Sequence, residues 1–141
     1  MMQRGLASLC LLMMSLAGCS ENYTHDENSA AMRAVEFAEV AFVQHDFDKG
    51  YLLLADKARA YVPLEKFKEK VKYMHPNGYP IKVTAAGAAA IKGEKIVNVS
   101  LRGSGRRGES FDYALALAGT AQSGYRVTTF NGGGLASMPP G

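Results

Sequence analysis

At 141 residues, with 16 basic and 13 acidic side chains, the chain has the length of one folded domain. A formal charge of +3 is too small to support nucleic-acid binding by the molecule as a whole. Its two cysteines, Cys10 and Cys19, both precede the polar stretch beginning at Ser20, so nothing after that point can form an internal disulfide or a thiolate metal site.

Met1–Arg4 carries one positive charge, and Leu6 to Leu16 is apolar. This is the pattern of a secretory leader, and it is too short for the ~20 helical residues that cross a ~30 Å hydrocarbon layer. Leu16-Ala17-Gly18-Cys19 resembles the lipobox of bacterial lipoproteins. The resemblance implies a signal peptide over residues 1–18 and a new N-terminus at Cys19, bearing a diacylglycerol thioether and an N-acyl chain. No other cofactor is expected. One acyl chain holds only marginally at ~0.8 kcal/mol per methylene, so several chains are needed for a lasting anchor in the bilayer. The alternative is an ordinary secretory leader with Cys19 left free or disulfide-bonded. Against it, Cys10 departs with the leader and a polar segment follows at once. Residues 19–28 then form the lipidated cysteine and its polar tether. Ser20, rather than Asp, favours the periplasmic face of the outer membrane if the sorting rule of enteric bacteria applies in a Gram-negative host. With Arg4 removed, the net charge falls by one and nucleic acid is not an expected partner.

The folded part is expected over residues 29–131. Ala34, Phe37, Ala38 and Ala41 recur at helical spacing, with Val35 and Phe42 widening the stripe, which predicts a helix from Ser29 to about Gln44 capped by Asn28 or Ser29. His45–Gly50 breaks the pattern, and a short second helix is expected over Tyr51–Ala55, with Asp46 as its N-cap. Pro63 suits the first turn of a third, on which Leu64, Phe67, Val71 and Met74 form the apolar stripe. The stacked turn signals of His75–Pro80 end it. The period then changes to two. Strands are expected at Ile81–Ile91, bent at Gly87, and at Lys95–Arg102, Glu109–Ala118 and Tyr125–Asn131. Residues 132–141, rich in glycine and proline, read as a flexible tail. The fold class is α+β, with N-terminal helices packed on a four-stranded antiparallel meander.

The order of elements, with H-D-F-D-K-G-Y-L-L-L after the first helix and G-Y-R-V-T-T-F closing the sheet, resembles the nuclear transport factor two-like superfamily. That resemblance implies a cystatin-like cone in which a strongly bent sheet wraps a long helix. The superfamily includes isomerases, dehydratases, ligand carriers and catalytically inert interaction domains, so the fold alone does not assign an activity.

No convergent catalytic set is legible. Asp112 lies on the strand face opposite Phe111, Tyr113 and Leu115, away from the core. His45-Asp46-x-Asp48 has metal-ligating residue types, but capping explains Asp46, and no metal is expected. Gly103-Ser104-Gly105-Arg106-Arg107-Gly108 spells G-x-G-x-x-G, yet a strand follows it rather than a helix, so it reads as a hairpin turn. Arg106 and Arg107, with Arg102 below them, form a basic tip suited to anionic lipid heads or another polyanion. Tyr51, Leu54, Phe67 and Tyr113 are candidates to line a cavity in the cone. Ala85, Ala86, Ala88, Ala89 and Ala90 crowd the first strand, and Ala114, Ala116 and Ala118 line one face of the third, a small flat face with Asn98, Ser100 and Thr128 on its neighbours that suits pairing between sheets. The expectation is an envelope lipoprotein that is not an enzyme and serves as a protein-interaction or assembly module, binding an envelope protein or forming a homodimer. The alternatives are a carrier or sensor of a small apolar ligand and, after that, an isomerase- or hydrolase-like enzyme.

Overall fold

The computed structural model describes residues 22–135, so the leader, Cys19, Ser20 and residues 136–141 lie outside the described range. Four α-helices precede a four-stranded antiparallel sheet: α1 (Glu27–Ala38, continued by a π-helical turn over Glu39–Val43), α2 (Phe47–Leu52), α3 (Asp56–Tyr61) and α4 (Leu64–Met74). The strands are β1 (Lys82–Ala90), β2 (Ile96–Ser104), β3 (Ser110–Thr120) and β4 (Gly124–Leu135), in the order β1-β2-β3-β4. The α+β class read from the sequence is the class observed.

Helix α1 begins two residues earlier than its apolar stripe implies, because Asp26 rather than Asn28 or Ser29 is the N-cap. Its Oδ1 accepts the Ser29 N–H at 3.1 Å and its Oδ2 accepts the Ser29 hydroxyl at 2.7 Å. A carboxylate at this position takes up free helix N–H groups. Those hydrogen bonds lower the Asp26 pKa. The π turn that follows has a structural consequence. In a plain α-helix, side chains five apart point in different directions, whereas the wider turn brings both Phe37 and Phe42 fully into the core. Their rings meet edge to face at 5.6 Å.

Helix α3 was not expected from the sequence, and it buries no residue. The Tyr51 hydroxyl holds its end, donating to the carbonyls of Arg59 (3.1 Å) and Val62 (2.6 Å). Its existence is thus a tertiary effect rather than a periodic one. Pro63 precedes the first residue of α4, on which Phe67, Val71 and Met74 face inward as the stripe predicts.

In the sheet, Val97, Val99 and Leu101 of β2 and Phe111, Tyr113, Leu115 and Leu117 of β3 face the helices, and α1 packs across all four strands. The register shifts between Ala85 and Gly87, so β1 bends where Gly87 suggested. A second shift lies between Ala116 and Leu117, opposite Thr129 and Val127 of β4. Strict alternation from Tyr125 would point Phe130 outward. The extra residue, Thr128, reverses that, so Tyr125, Val127 and Phe130 are all buried. The Thr128 hydroxyl fastens the bulge by donating to the Ala116 carbonyl at 2.9 Å.

Strand β4 also runs past Asn131 through the glycines to Leu135. Gly132 pairs with Tyr113, and Gly133 is buried against the Met74 carbonyl. Both have positive φ, at 112° and 84°, which glycine adopts without strain. The first three glycines of the segment read as tail are therefore the end of the sheet.

Candidate functional site

The outer face of the sheet has neither helix nor loop over it among the described residues. Antiparallel register aligns Gly87, Ser100, Ala114 and Asn131 in one row, and Ala89, Asn98, Ala116 and Thr129 in the next. All are exposed except Ala116, which is half-buried. With no long side chain in either row, an approaching sheet can come close to the backbone, near the ~10 Å spacing of packed sheets. Toward the β2–β3 turn the face ends in one cross-strand ion pair, Arg102 Nε to Asp112 Oδ1 at 3.4 Å. Both side chains are more than half exposed, so the pair contributes ~1 kcal/mol at most. Asp112 points away from the core, as its strand position predicted.

Arg106 and Arg107 are exposed on the β2–β3 turn, and neither is ion-paired among the described residues. The turn is closed by Gly105 N–H to the Glu109 carbonyl at 2.9 Å and Gly108 N–H to the Gly105 carbonyl at 3.2 Å. It is a hairpin connection and not a phosphate cradle at the start of a helix. With Asn77, Tyr79, Ile81 and Glu109, the two arginines line a shallow surface cleft. Arg102, grouped with them from the sequence, is occupied by Asp112.

The four cavity candidates do come together in the interior, but their surfaces are already in use. Phe67 is fully buried, with its ring 6.1 Å from Phe37 and 5.6 Å from Phe130. Leu54 is buried beside Val127, where Ala55 N–H donates to the Val127 carbonyl at 2.7 Å. Tyr51 braces α3, as above, with its ring against Phe67. Tyr113 stacks on Phe42 at 4.8 Å and bonds through its hydroxyl to His75.

That last contact was not legible in the sequence, which presented His75 only as a helix-terminal residue. His75 is buried. Its Nδ1 lies 2.6 Å from the Val71 carbonyl and its Nε2 lies 2.8 Å from the Tyr113 hydroxyl. A carbonyl only accepts, so Nδ1 carries the proton and Nε2 accepts from Tyr113. Burial pushes the His75 pKa down, opposed by the Val71 hydrogen bond, and burial pushes the Tyr113 pKa up. Both hydrogen-bonding capacities of the neutral ring are used. The pair ties the end of α4 to β3.

His45 has a positive φ of 58° and lies against Tyr79 at 4.1 Å. Asp46 caps α2, accepting Lys49 N–H at 3.2 Å. Among the described residues, no three or more His, Cys, Asp or Glu side chains converge as for a metal ion, and no helix is long and apolar enough to cross a membrane. Comparison with protein-family models, curated proteins and solved structures finds no match to this chain, so its surfaces are read from their own chemistry.

Proposed function

We propose that the chain is an envelope lipoprotein, anchored through lipid on Cys19, whose nuclear transport factor two-like domain acts as an interaction or assembly module rather than as an enzyme. The observation that carries this reading is the uncovered outer face, built of Gly, Ala, Ser, Asn and Thr in register. Small side chains on β2 and β3 leave most of that face without the charged or bulky groups that keep sheets apart. The interior argues in the same direction, since Phe67, Leu54 and Tyr113 each pack against other core side chains. With Ser20 after the modified cysteine, the domain faces the periplasm from the outer membrane, and its partner is an envelope protein or a second copy of the chain.

A photo-reactive amino acid placed at Ala116 tests the reading in intact cells. The expected result is one discrete adduct, either at twice the chain's mass or with one envelope protein. It should be lost when Ala114 is replaced by Lys without a change in thermal midpoint. A diffuse ladder of adducts, unaffected by Ala114→Lys, would refute it. The anchor is tested separately by the intact mass of Cys19-containing protein from membranes.

A further inference from the structure

The segment expected to be a free tether is built into the domain. The Thr24 carbonyl accepts the Ala121 N–H at 2.9 Å, in the β3–β4 turn. The Lys95 ammonium lies 5.0 Å from the centre of the Tyr23 ring. His25 spans the two turns at this end: Nε2 is 2.7 Å from the Glu94 carbonyl and Nδ1 is 3.0 Å from the Tyr125 hydroxyl. The carbonyl requires Nε2 to be the donor, so Nδ1 accepts from Tyr125. The same Tyr125 oxygen accepts the Asp26 N–H at 2.9 Å, and its ring is buried. One hydroxyl thus holds His25 and Asp26, and with the Ala121 and Lys95 contacts it completes a latch over residues 23–26.

The latch limits reach. Four Cα steps separate Cys19 from Tyr23, a contour of at most ~14 Å, whereas eight steps to the first residue of α1 would allow ~29 Å. In an antiparallel meander the β1–β2 and β3–β4 turns share one end of the sheet, and the β2–β3 turn lies at the other. The nine residues of β2 place Arg106 and Arg107 beyond ~26 Å of strand from the latch.

We propose that the pole formed by residues 91–95 and 120–124 is the surface the domain presents to its own bilayer. Latched Tyr23–Asp26 holds it there, while the Arg106–Arg107 pole points away from that membrane. Lys92 and Lys95 flank Glu94 at the near pole, which leaves residues 91–95 with a net charge of +1 toward anionic headgroups. The arginines that looked suited to lipid from the sequence instead lie at the pole turned from the anchoring membrane. The proposal rests on the lipoprotein reading above and assigns the orientation that reading leaves open.

The test uses full-length protein processed and purified from membranes, then reconstituted into vesicles of phosphatidylethanolamine and phosphatidylglycerol. The chain has no cysteine after Cys19, so a fluorophore can be attached at Gln122→Cys or at Arg107→Cys. With headgroup-quencher lipids, the label at 122 should be quenched several-fold more than the label at 107. Adding Tyr125→Phe should reduce that contrast in part, because it removes the hydroxyl that holds His25 and Asp26 while the Thr24–Ala121 and His25–Glu94 hydrogen bonds remain. Lipid on Cys19 with equal quenching, or with stronger quenching at 107, overturns the orientation and leaves the anchor standing. An intact mass without lipid overturns both. A contrast that persists unchanged in Tyr125→Phe overturns the latch as its cause.

Discussion

Replacing Gly132 by Ala tests whether the glycine-rich segment is the end of a sheet or a loose tail. Gly132 pairs with Tyr113 at φ 112°, and a Cβ there would overlap the Asp112 carbonyl oxygen, which is backbone and cannot swing aside. Forcing an L-residue into this region costs about 1–3 kcal/mol. Moving a strand to relieve the overlap adds about 1–3 kcal/mol, the usual cost of overpacking. A combined loss of ~2–6 kcal/mol is a large part of the ~5–15 kcal/mol that holds a domain folded. In urea, at ~2 kcal/mol per molar, the midpoint should fall by ~1–3 M. Gly134→Ala is the internal control. It has no positive φ and nothing within 4 Å of a built Cβ, so it should be neutral or stabilising by less than ~1 kcal/mol. Equal midpoints for Gly132→Ala, Gly134→Ala and the wild type would refute the reasoning and restore the mobile-tail reading.

The buried His75 predicts acid sensitivity. Its folded pKa lies below the ordinary value of 6.5, so the unfolded chain binds the proton more readily, and stability falls as pH drops below about 6.5 until the folded pKa is reached. The slope contributed by this one residue is at most ~1.4 kcal/mol per pH unit, and His75→Gln should remove it from urea midpoints measured between pH 7 and 5. Asp46→Ala should cost ~1 kcal/mol in the same assay, since it removes the carboxylate that caps the six-residue α2. A double-mutant cycle on Arg102 and Asp112 should return a coupling below ~1 kcal/mol that fades with added salt; a larger value would mean the pair is less solvated than its exposure indicates.

The periodic parts of the chain were legible because one-dimensional spacing maps directly onto a face. The 3.6-residue stripe of α4 and the period-two alternation of β2 and β3 each placed the right side chains in the core, and Asp46 was recognisable as a cap from its position before a helix. Spacing was silent where structure depends on residues far apart. Nothing local marks Asp56–Tyr61 as helical until Tyr51 reaches its terminal carbonyls. Nothing local turns Phe130 inward until a bulge at Thr128 shifts the phase of β4. The segment Tyr23–Asp26 is polar and aperiodic, as a tether should be, yet its partners are Tyr125, Glu94 and Ala121, all more than sixty residues away. His75 meets Tyr113 by the same kind of long-range closure. By itself the sequence determined the α+β class, the core faces and the small-residue outer face, because these follow from side-chain period. Only the tertiary structure decided that the glycine tail is strand and that the tether is latched, because hydrogen bonds between distant segments leave no period to read.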